Sequence, residues 1–192
     1  FFHETMHLFN MEFHDTCKES TKNIIRIASQ LNLFESYCET WARIINALFI
    51  SITINDGDDL MLFTTIFSFE TMFSLIQCIK VLKIMNLEFS DVFVNSELLY
   101  KNFKEDSNVF SYYIIKWGLL SNICKMFELC DKSHRIPCRI TSENINDFFD
   151  IPLRSWNKRK FTSVINRHIL EIIDKKKRYK YIGQSLRMTI HD

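Results

Sequence analysis

The residues that most directly suggest chemistry are two histidines near the start of the chain. His3-Glu4-Thr5-Met6-His7 matches the pattern H-E-x-x-H, in which two His one helical turn apart bind zinc and the Glu acts as a base. Only two residues precede the motif, and Asn10 and Phe13 stand where its extended form has Gly and His. We therefore predict that the motif is not that of a peptidase. His3 and His7 stay candidate zinc ligands that need further ligands from elsewhere.

A second candidate metal site combines sulfur and nitrogen ligands. Cys130, His134 and Cys138 are spaced at every fourth residue, in a segment predicted to be a connector. Structural zinc sites usually contain a second ligand pair, which only Cys124 or His168 could complete here. Six Cys in a chain rich in Lys and Glu indicate reduced thiols in the cytosol or nucleus. No cofactor is predicted apart from a structural zinc.

Other catalytic motifs are missing from the sequence. The chain has three Gly, at positions 57, 118 and 183, so it cannot form the glycine-rich phosphate loops of nucleotide-binding proteins. It also lacks the G-x-S-x-G turn that presents a nucleophilic serine. We therefore predict a protein that is not an enzyme.

The composition predicts an all-α fold with a single multi-helix domain. Three Gly and two Pro in 192 residues provide few turn residues, which favours long helices over strands. A chain of this length can bury one hydrophobic core without disulfide support.

Two long helices can be placed from local patterns. Ser36 and Glu39 form a capping box that should begin a helix with Tyr37, Trp41 and Ile44 directed inward and Glu39 directed outward. A loop at Asn55–Asp59 precedes an apolar helix over Leu60–Met85. We interpret this helix as the centre of the domain and predict no membrane span, since its Glu and Gln side chains would need partners in lipid. A short helix over Ser142–Phe149 is predicted to stop before Pro152.

Charge is unevenly distributed along the chain. The net charge is +1, yet residues 151–192 carry eleven Lys and Arg against three acidic residues. The basic run Lys175–Lys180 suggests a nuclear address or an acidic partner. Direct nucleic-acid binding is not predicted, because no known DNA-reading module surrounds the run.

Three helical segments carry a resemblance to a known family. The segments SFETMFSLIQCIKVLKIM, SYYIIKWGLLSNICKMF and SVINRHILEIIDKKKRYKYIG resemble, in order and character, the telomere-repeat-factor homology domain of shelterin proteins. The resemblance concerns architecture over most of the chain and no diagnostic motif. It implies a nuclear, telomeric protein that forms homodimers and binds short linear peptides of other proteins in hydrophobic grooves.

The N-terminal segment shows a narrow apolar stripe. Phe2, Met6, Phe9 and Phe13 recur at helical spacing, as in a helix that binds in a groove. Residues 1–10 precede Met11 and are interpreted as a partner peptide or an added segment, and residues 11–192 as a helical adaptor domain.

These observations together predict a non-enzymatic adaptor that dimerises and bridges proteins through linear motifs. An aromatic content of 14% exceeds what a domain of this size easily covers, and exposed apolar patches mark interfaces. The predicted anchors are Phe2, Met6, Phe9, Phe13, Trp41 and Ile44. Two alternatives remain: a helical regulator of the apoptosis-regulator type, for which only Lys116-Trp117-Gly118 resembles part of the groove motif, and a domain that uses a metal at Cys130/His134/Cys138 or at the N-terminal histidines.

Overall fold

The protein is built from helices throughout the described part of the chain. The computed structural model describes residues 1–9, 11, 25, 27–29, 31–55, 59–94, 96–156 and 186–189. In chain order the helices are α1 (Phe2–Leu8), α2 (Leu33–Asn55), α3 (Leu60–Ile84), α4 (Asp91–Val94), α5 (Ser96–Asn102), a π-helical turn (Phe110–Ile115), α6 (Lys116–Leu120), α7 (Ile123–Ser133) and α8 (Ile145–Trp156). The predicted all-α fold with one packed domain is confirmed.

The two longest helices, α2 and α3, pack against each other as a helical hairpin. α2 ends at Asn55, and α3 begins at Leu60 after Asp59, whose carboxylate accepts a hydrogen bond of 2.9 Å from the Leu62 amide. The predicted apolar helix is thus confirmed, whereas residues 56–58 of the predicted loop lie outside the described part of the chain. By length and composition α3 could span a membrane, but 50% of its most apolar window is buried within the protein, as in the core helix of a globular domain.

The π-helical turn and α6 form one continuous central helix. Their junction keeps right-handed helical backbone angles, and every residue of α6 is buried. Ile114, Ile115 and Leu119 are fully buried. The segment contacts α2, α3 and α8, so it fixes the distance between these helices.

The start of α2 differs from the predicted capping box. The helix begins at Leu33, one turn earlier, and the Ser36 hydroxyl donates to the Leu33 carbonyl at 2.6 Å instead of capping. The earlier start buries Leu33 and Phe34 packs beside it. Glu39, predicted to face solvent, is 1% exposed. That prediction was wrong because α1 covers this face of α2.

The helix over Ser142–Phe149 was also predicted with wrong bounds. α8 continues through Pro152 to Trp156. A proline inside a helix removes one backbone hydrogen bond. Burial of Phe148, Phe149 and Ile151 against neighbouring helices offsets that loss.

Candidate metal centre

The N-terminal helix α1 is held on α2 by its apolar side chains. Met6 is 3% exposed and belongs to the main core, and the Phe2 ring contacts the Phe49 ring with 6.4 Å between centroids. Residues four apart lie on one face of a helix. The packing that buries Met6 therefore also presents His3 and His7 together toward α2.

The ligand atoms of His3, His7 and Glu35 converge at the junction of α1 and α2. The Nε2 atoms of His3 and His7 are 2.9 Å apart. Glu35 Oε2 lies 3.1 Å from His3 Nε2 and 3.7 Å from His7 Nε2. Within the described residues, this is the one group of three potential ligands whose atoms all lie within 4.8 Å of one another.

These separations match those around a zinc ion. Zinc binds His nitrogen and carboxylate oxygen at about 2.0 to 2.2 Å, so ligands at tetrahedral angles lie about 3.3 Å apart. The three distances in the protein bracket that value. Two His and one Glu are also the ligand set of catalytic zinc sites that keep a fourth position for water or substrate.

Glu39 supports His3 from behind. Its Oε2 lies 3.1 Å from His3 Nδ1, and its Oε1 lies 2.7 Å from Arg43 Nη2. This contact is an ion pair when His3 is protonated. A carboxylate beside the second ring nitrogen of a ligating His fixes the ring orientation and increases its basicity as a ligand.

The pKa values of this pair reflect the same contacts. The contact with Glu39 is the largest influence on His3 and raises its pKa, burial opposes this, and the charge of Glu35 adds to it. Burial disfavours ionisation of Glu39, but His3 and Arg43 outweigh burial and lower its pKa. Each residue of the pair therefore favours the charged form of the other.

Tyr112 holds the third candidate ligand from the opposite side. Its hydroxyl donates a 2.8 Å hydrogen bond to Glu35 Oε2. Tyr112 lies in the π-helical turn, a rare conformation that is frequent at functional sites. Burial, and then the hydrogen bond to Glu35, raise the pKa of Tyr112. The hydroxyl thus keeps its proton at neutral pH and remains a hydrogen-bond donor.

A cavity opens beside His3. It has a volume of about 580 Å³, and Glu4, Tyr112 and Arg187 contribute to its lining together with His3. Such a space admits a small substrate segment. Glu4, the Glu of the H-E-x-x-H motif, therefore lines the same cavity as His3.

The sulfur-containing candidate site is arranged differently. Cys130 and Cys138 are buried, whereas His134 is exposed and adopts a left-handed conformation, with φ of 50°, that ends α7. The hydrogen bond from the Cys130 thiol lowers the pKa of Cys138. The Tyr37 hydroxyl donates to the Cys138 carbonyl. Within the described chain, the structure brings the two thiols together but does not add His134 to them.

The predicted partner-binding residues are spread over two surfaces. Met6 is buried, Phe2 is partly buried and Phe9 is 67% exposed. Phe13 and the basic run Lys175–Lys180 lie outside the described residues.

Trp41 and Ile44 belong to the second surface, which we call the α2–α3 groove. This groove has a volume of about 480 Å³ between the end of α2, the start of α3 and the loop at Ile136–Pro137. Trp41 and Ile44 are buried at its floor, and Leu48, Ile52 and Leu60 are exposed along it. Its only polar lining residues among those described are Ser51 and Asp59.

Glu35, Glu39 and Tyr112 are the site residues that the sequence analysis missed. One signal was present, because Glu35 and Glu39 are the two acidic residues of α2 and are four apart, the same spacing as the two histidines. Comparison with protein-family models, curated proteins and solved structures gives no match to this chain.

Proposed function

We propose that the protein is a zinc-dependent hydrolase that cleaves peptide bonds. The observation that carries this proposal is the convergence of His3 Nε2, His7 Nε2 and Glu35 Oε2 at 2.9 to 3.7 Å beside an open cavity. The sequence analysis set the H-E-x-x-H motif aside because its sequence context was missing, and predicted no enzyme because other catalytic motifs were missing as well. The third ligand from α2 supplies a structural context for that motif.

The surrounding residues support a catalytic rather than a purely structural metal. Structural zinc sites are closed by four protein ligands, whereas catalytic sites keep one position open. Here three candidate ligands converge, and one of them, His3, lines the cavity. When bound, zinc would polarise the substrate carbonyl and lower the pKa of a bound water.

The remaining steps are assigned to residues that line the cavity. Glu4 accepts a proton from the attacking water, whose oxygen bonds to the carbonyl carbon. The C–N bond then breaks, and Glu4 returns that proton to the leaving nitrogen. Tyr112 donates a hydrogen bond to Glu35 Oε2 and so orients that proposed ligand. One water is consumed, and no oxidant or reductant is needed.

The test combines metal analysis with hydrolysis assays. Purified protein should bind one zinc per chain and cleave fluorogenic peptides. The Glu4→Gln variant should keep its zinc but lose about 10²- to 10⁴-fold in kcat, the range expected for a missing general base. The exposed Glu143→Gln serves as the matched control and should behave like the wild type. Absence of zinc, or full activity of Glu4→Gln, would contradict the proposal. Iron in place of zinc would instead indicate oxygen chemistry.

A second candidate function is the predicted adaptor role, which the α2–α3 groove favours. Leu48, Ile52 and Leu60 are 46%, 45% and 76% exposed along a groove with apolar walls. Asp59 adds a negative charge to the lining. The occupant that suits this surface is a linear motif of another protein with two or three apolar anchors and a basic flank.

The adaptor role can be tested separately from hydrolysis. A labelled amphipathic peptide with Leu and Phe at positions i, i+4 and i+7 and a flanking Lys should bind the wild type, as measured by fluorescence anisotropy. Leu48→Asp should abolish that binding, and Glu143→Gln should not. Light scattering on the same samples tests the predicted homodimer. A dimer that dissociates in Leu48→Asp would mean that a second copy, not a peptide, occupies the groove.

A further inference from the structure

Two buried thiols that the proposed hydrolysis does not use lie in contact at the end of α7. Cys130 and Cys138 are both buried in the core, and neither takes part in a disulfide. The Cys130 thiol donates a hydrogen bond to the Cys138 sulfur. A disulfide forms only where two sulfur atoms can approach each other. The contact therefore places this pair where a small movement of the side chains can join them.

The end of α7 explains why the two thiols meet. α7 ends at Ser133, and His134 takes the left-handed conformation with φ of 50°. The His134 amide donates a 3.1 Å hydrogen bond to the Asp131 carbonyl, and the Arg135 amide donates one of 3.3 Å to the Cys130 carbonyl. These two bonds form a Schellman cap, which reverses the chain at the end of a helix. The reversed chain returns to the last turn of α7, so Cys138 reaches Cys130.

The hydrogen bond between the thiols gives them different reactivity. As the acceptor, Cys138 is stabilised in its thiolate form, which lowers its pKa. Its sulfur also lies 3.9 Å from the Tyr37 hydroxyl. Cys130 is the donor, and this role together with burial raises its pKa. Because the thiolate is the nucleophilic form of cysteine, Cys138 is the thiol suited to react first, and Cys130 the one suited to react second.

The position of the pair limits the kind of oxidant that can reach it. The connector between the two cysteines is exposed at His134, Arg135 and Ile136, so its backbone lies at the surface while the thiols at its ends are buried. A small neutral oxidant can reach such thiols more easily than a bulky disulfide can. Hydrogen peroxide is an oxidant of this kind, and it converts thiolates to sulfenic acids.

We infer that Cys130 and Cys138 form a peroxide-sensitive pair that is converted reversibly from two thiols to a disulfide. The Cys138 thiolate attacks one oxygen of hydrogen peroxide, which breaks the O–O bond, releases hydroxide and leaves a sulfenic acid. The Cys130 sulfur then attacks the Cys138 sulfur, the S–O bond breaks, and the hydroxyl leaves with the Cys130 proton as water. The two sulfurs together lose two electrons, and the peroxide is reduced to two waters once the hydroxide takes up a proton. Neither step requires the proposed metal centre.

Treatment of the fully reduced protein with about one equivalent of hydrogen peroxide tests the pair. We expect two of the six thiols to be lost and the mass of the chain to fall by about 2 Da. A non-reducing peptide map should join Cys130 to Cys138, and dithiothreitol should restore both thiols. The pair should react before Cys124, although Cys124 is exposed. Oxidation of Cys124 first, or a map without this cross-link, would overturn the inference.

Single variants assign the two steps to the two cysteines. Cys130→Ser lacks the second thiol and should accumulate a sulfenic acid on Cys138, which dimedone captures. Cys138→Ser should form neither the sulfenic acid nor the cross-link, and Cys124→Ser is the matched control that should cross-link like the wild type. Capture of a sulfenic acid on Cys130 in Cys138→Ser would overturn the assigned order.

Zinc separates the redox pair from a metal site made of the same sulfurs. We expect the metal-free and the zinc-loaded wild type to form the cross-link at rates within about twofold of each other, because the proposed zinc ligands are His3, His7 and Glu35. Protection of both thiols by zinc would assign them to a metal site and overturn the inference. The peptide map of the wild type does not depend on the folding of any variant, so the inference stays testable if a variant is unstable.

Discussion

Replacing Glu39 with Gln should weaken zinc binding without changing any of the three proposed ligands. Glu39 is 1% exposed and lies 3.1 Å from His3 Nδ1, so its charge acts directly on the ligating ring. Loss of such a supporting carboxylate usually lowers metal affinity by about 10- to 100-fold. This corresponds to about 1.4 to 2.7 kcal/mol of binding free energy. The zinc dissociation constant can be measured by competition with a chromophoric chelator.

A second effect of the Glu39→Gln change must be separated from metal affinity. Arg43 loses its 2.7 Å partner, and breaking a buried ion pair can cost up to about 3 to 5 kcal/mol. The cost should be smaller here because the Arg43 side chain is 15% exposed. Urea unfolding of the metal-free protein measures this loss of folding stability. Zinc titrations at low temperature keep the variant folded while its zinc affinity is measured. The exposed Glu128→Gln is the control. A folded Glu39→Gln protein that binds zinc as tightly as the wild type would refute the supporting role of Glu39.

Three further predictions concern the site, the core and the pH dependence of stability. Tyr112→Phe should lower zinc affinity by about 10- to 100-fold, because the hydrogen bond that orients Glu35 is lost; an unchanged zinc affinity in a chelator competition would contradict that role. Trp41→Ala should lower the free energy of unfolding by about 3 to 5 kcal/mol in urea titrations, because the ring is 3% exposed and packs on Phe127 at 5.9 Å; a cost below about 1 kcal/mol would contradict this packing. Burial raises the pKa of Glu105 above 4.5, so folding favours its protonated form. Its contribution to stability is present below the unfolded-state pKa and is lost as the pH rises through the folded-state pKa. The free energy of unfolding of the wild type minus that of Glu105→Gln should therefore decrease from about pH 4 to about pH 7, and an increase would contradict the assigned burial.

Much of the fold follows from local sequence patterns. The long apolar tract and the Asn55–Asp59 loop predicted α3 correctly, because hydrophobic length and turn residues are local signals. Glu39 was placed wrongly because a charged residue in a helix usually faces water. Its burial depends on α1, which covers that face of α2, and on the basic partners that α1 and α2 provide. Such a tertiary contact has no signature in the spacing of one helix.

The candidate site shows the same limit. The sequence singled out His3 and His7 as candidate ligands because residues four apart in one helix share a face. Glu35 comes from another helix, and Tyr112 from a π-helical turn. Helix packing decides which distant side chains join a metal site. The other candidate metal site, at Cys130, His134 and Cys138, was suggested by the proximity of these residues in the sequence. In the structure, however, the exposed His134 at the end of α7 does not converge with the two buried thiols.

X-ray absorption at the zinc edge of the purified, zinc-loaded protein tests the central claim most directly. The proposed centre predicts one zinc with two imidazole nitrogens and oxygen ligands at about 2.0 to 2.2 Å. His7→Ala should remove one imidazole from the spectrum. Sulfur ligands at about 2.3 Å would assign the metal to the cysteines instead, and a protein that binds no zinc at all would contradict the proposed centre.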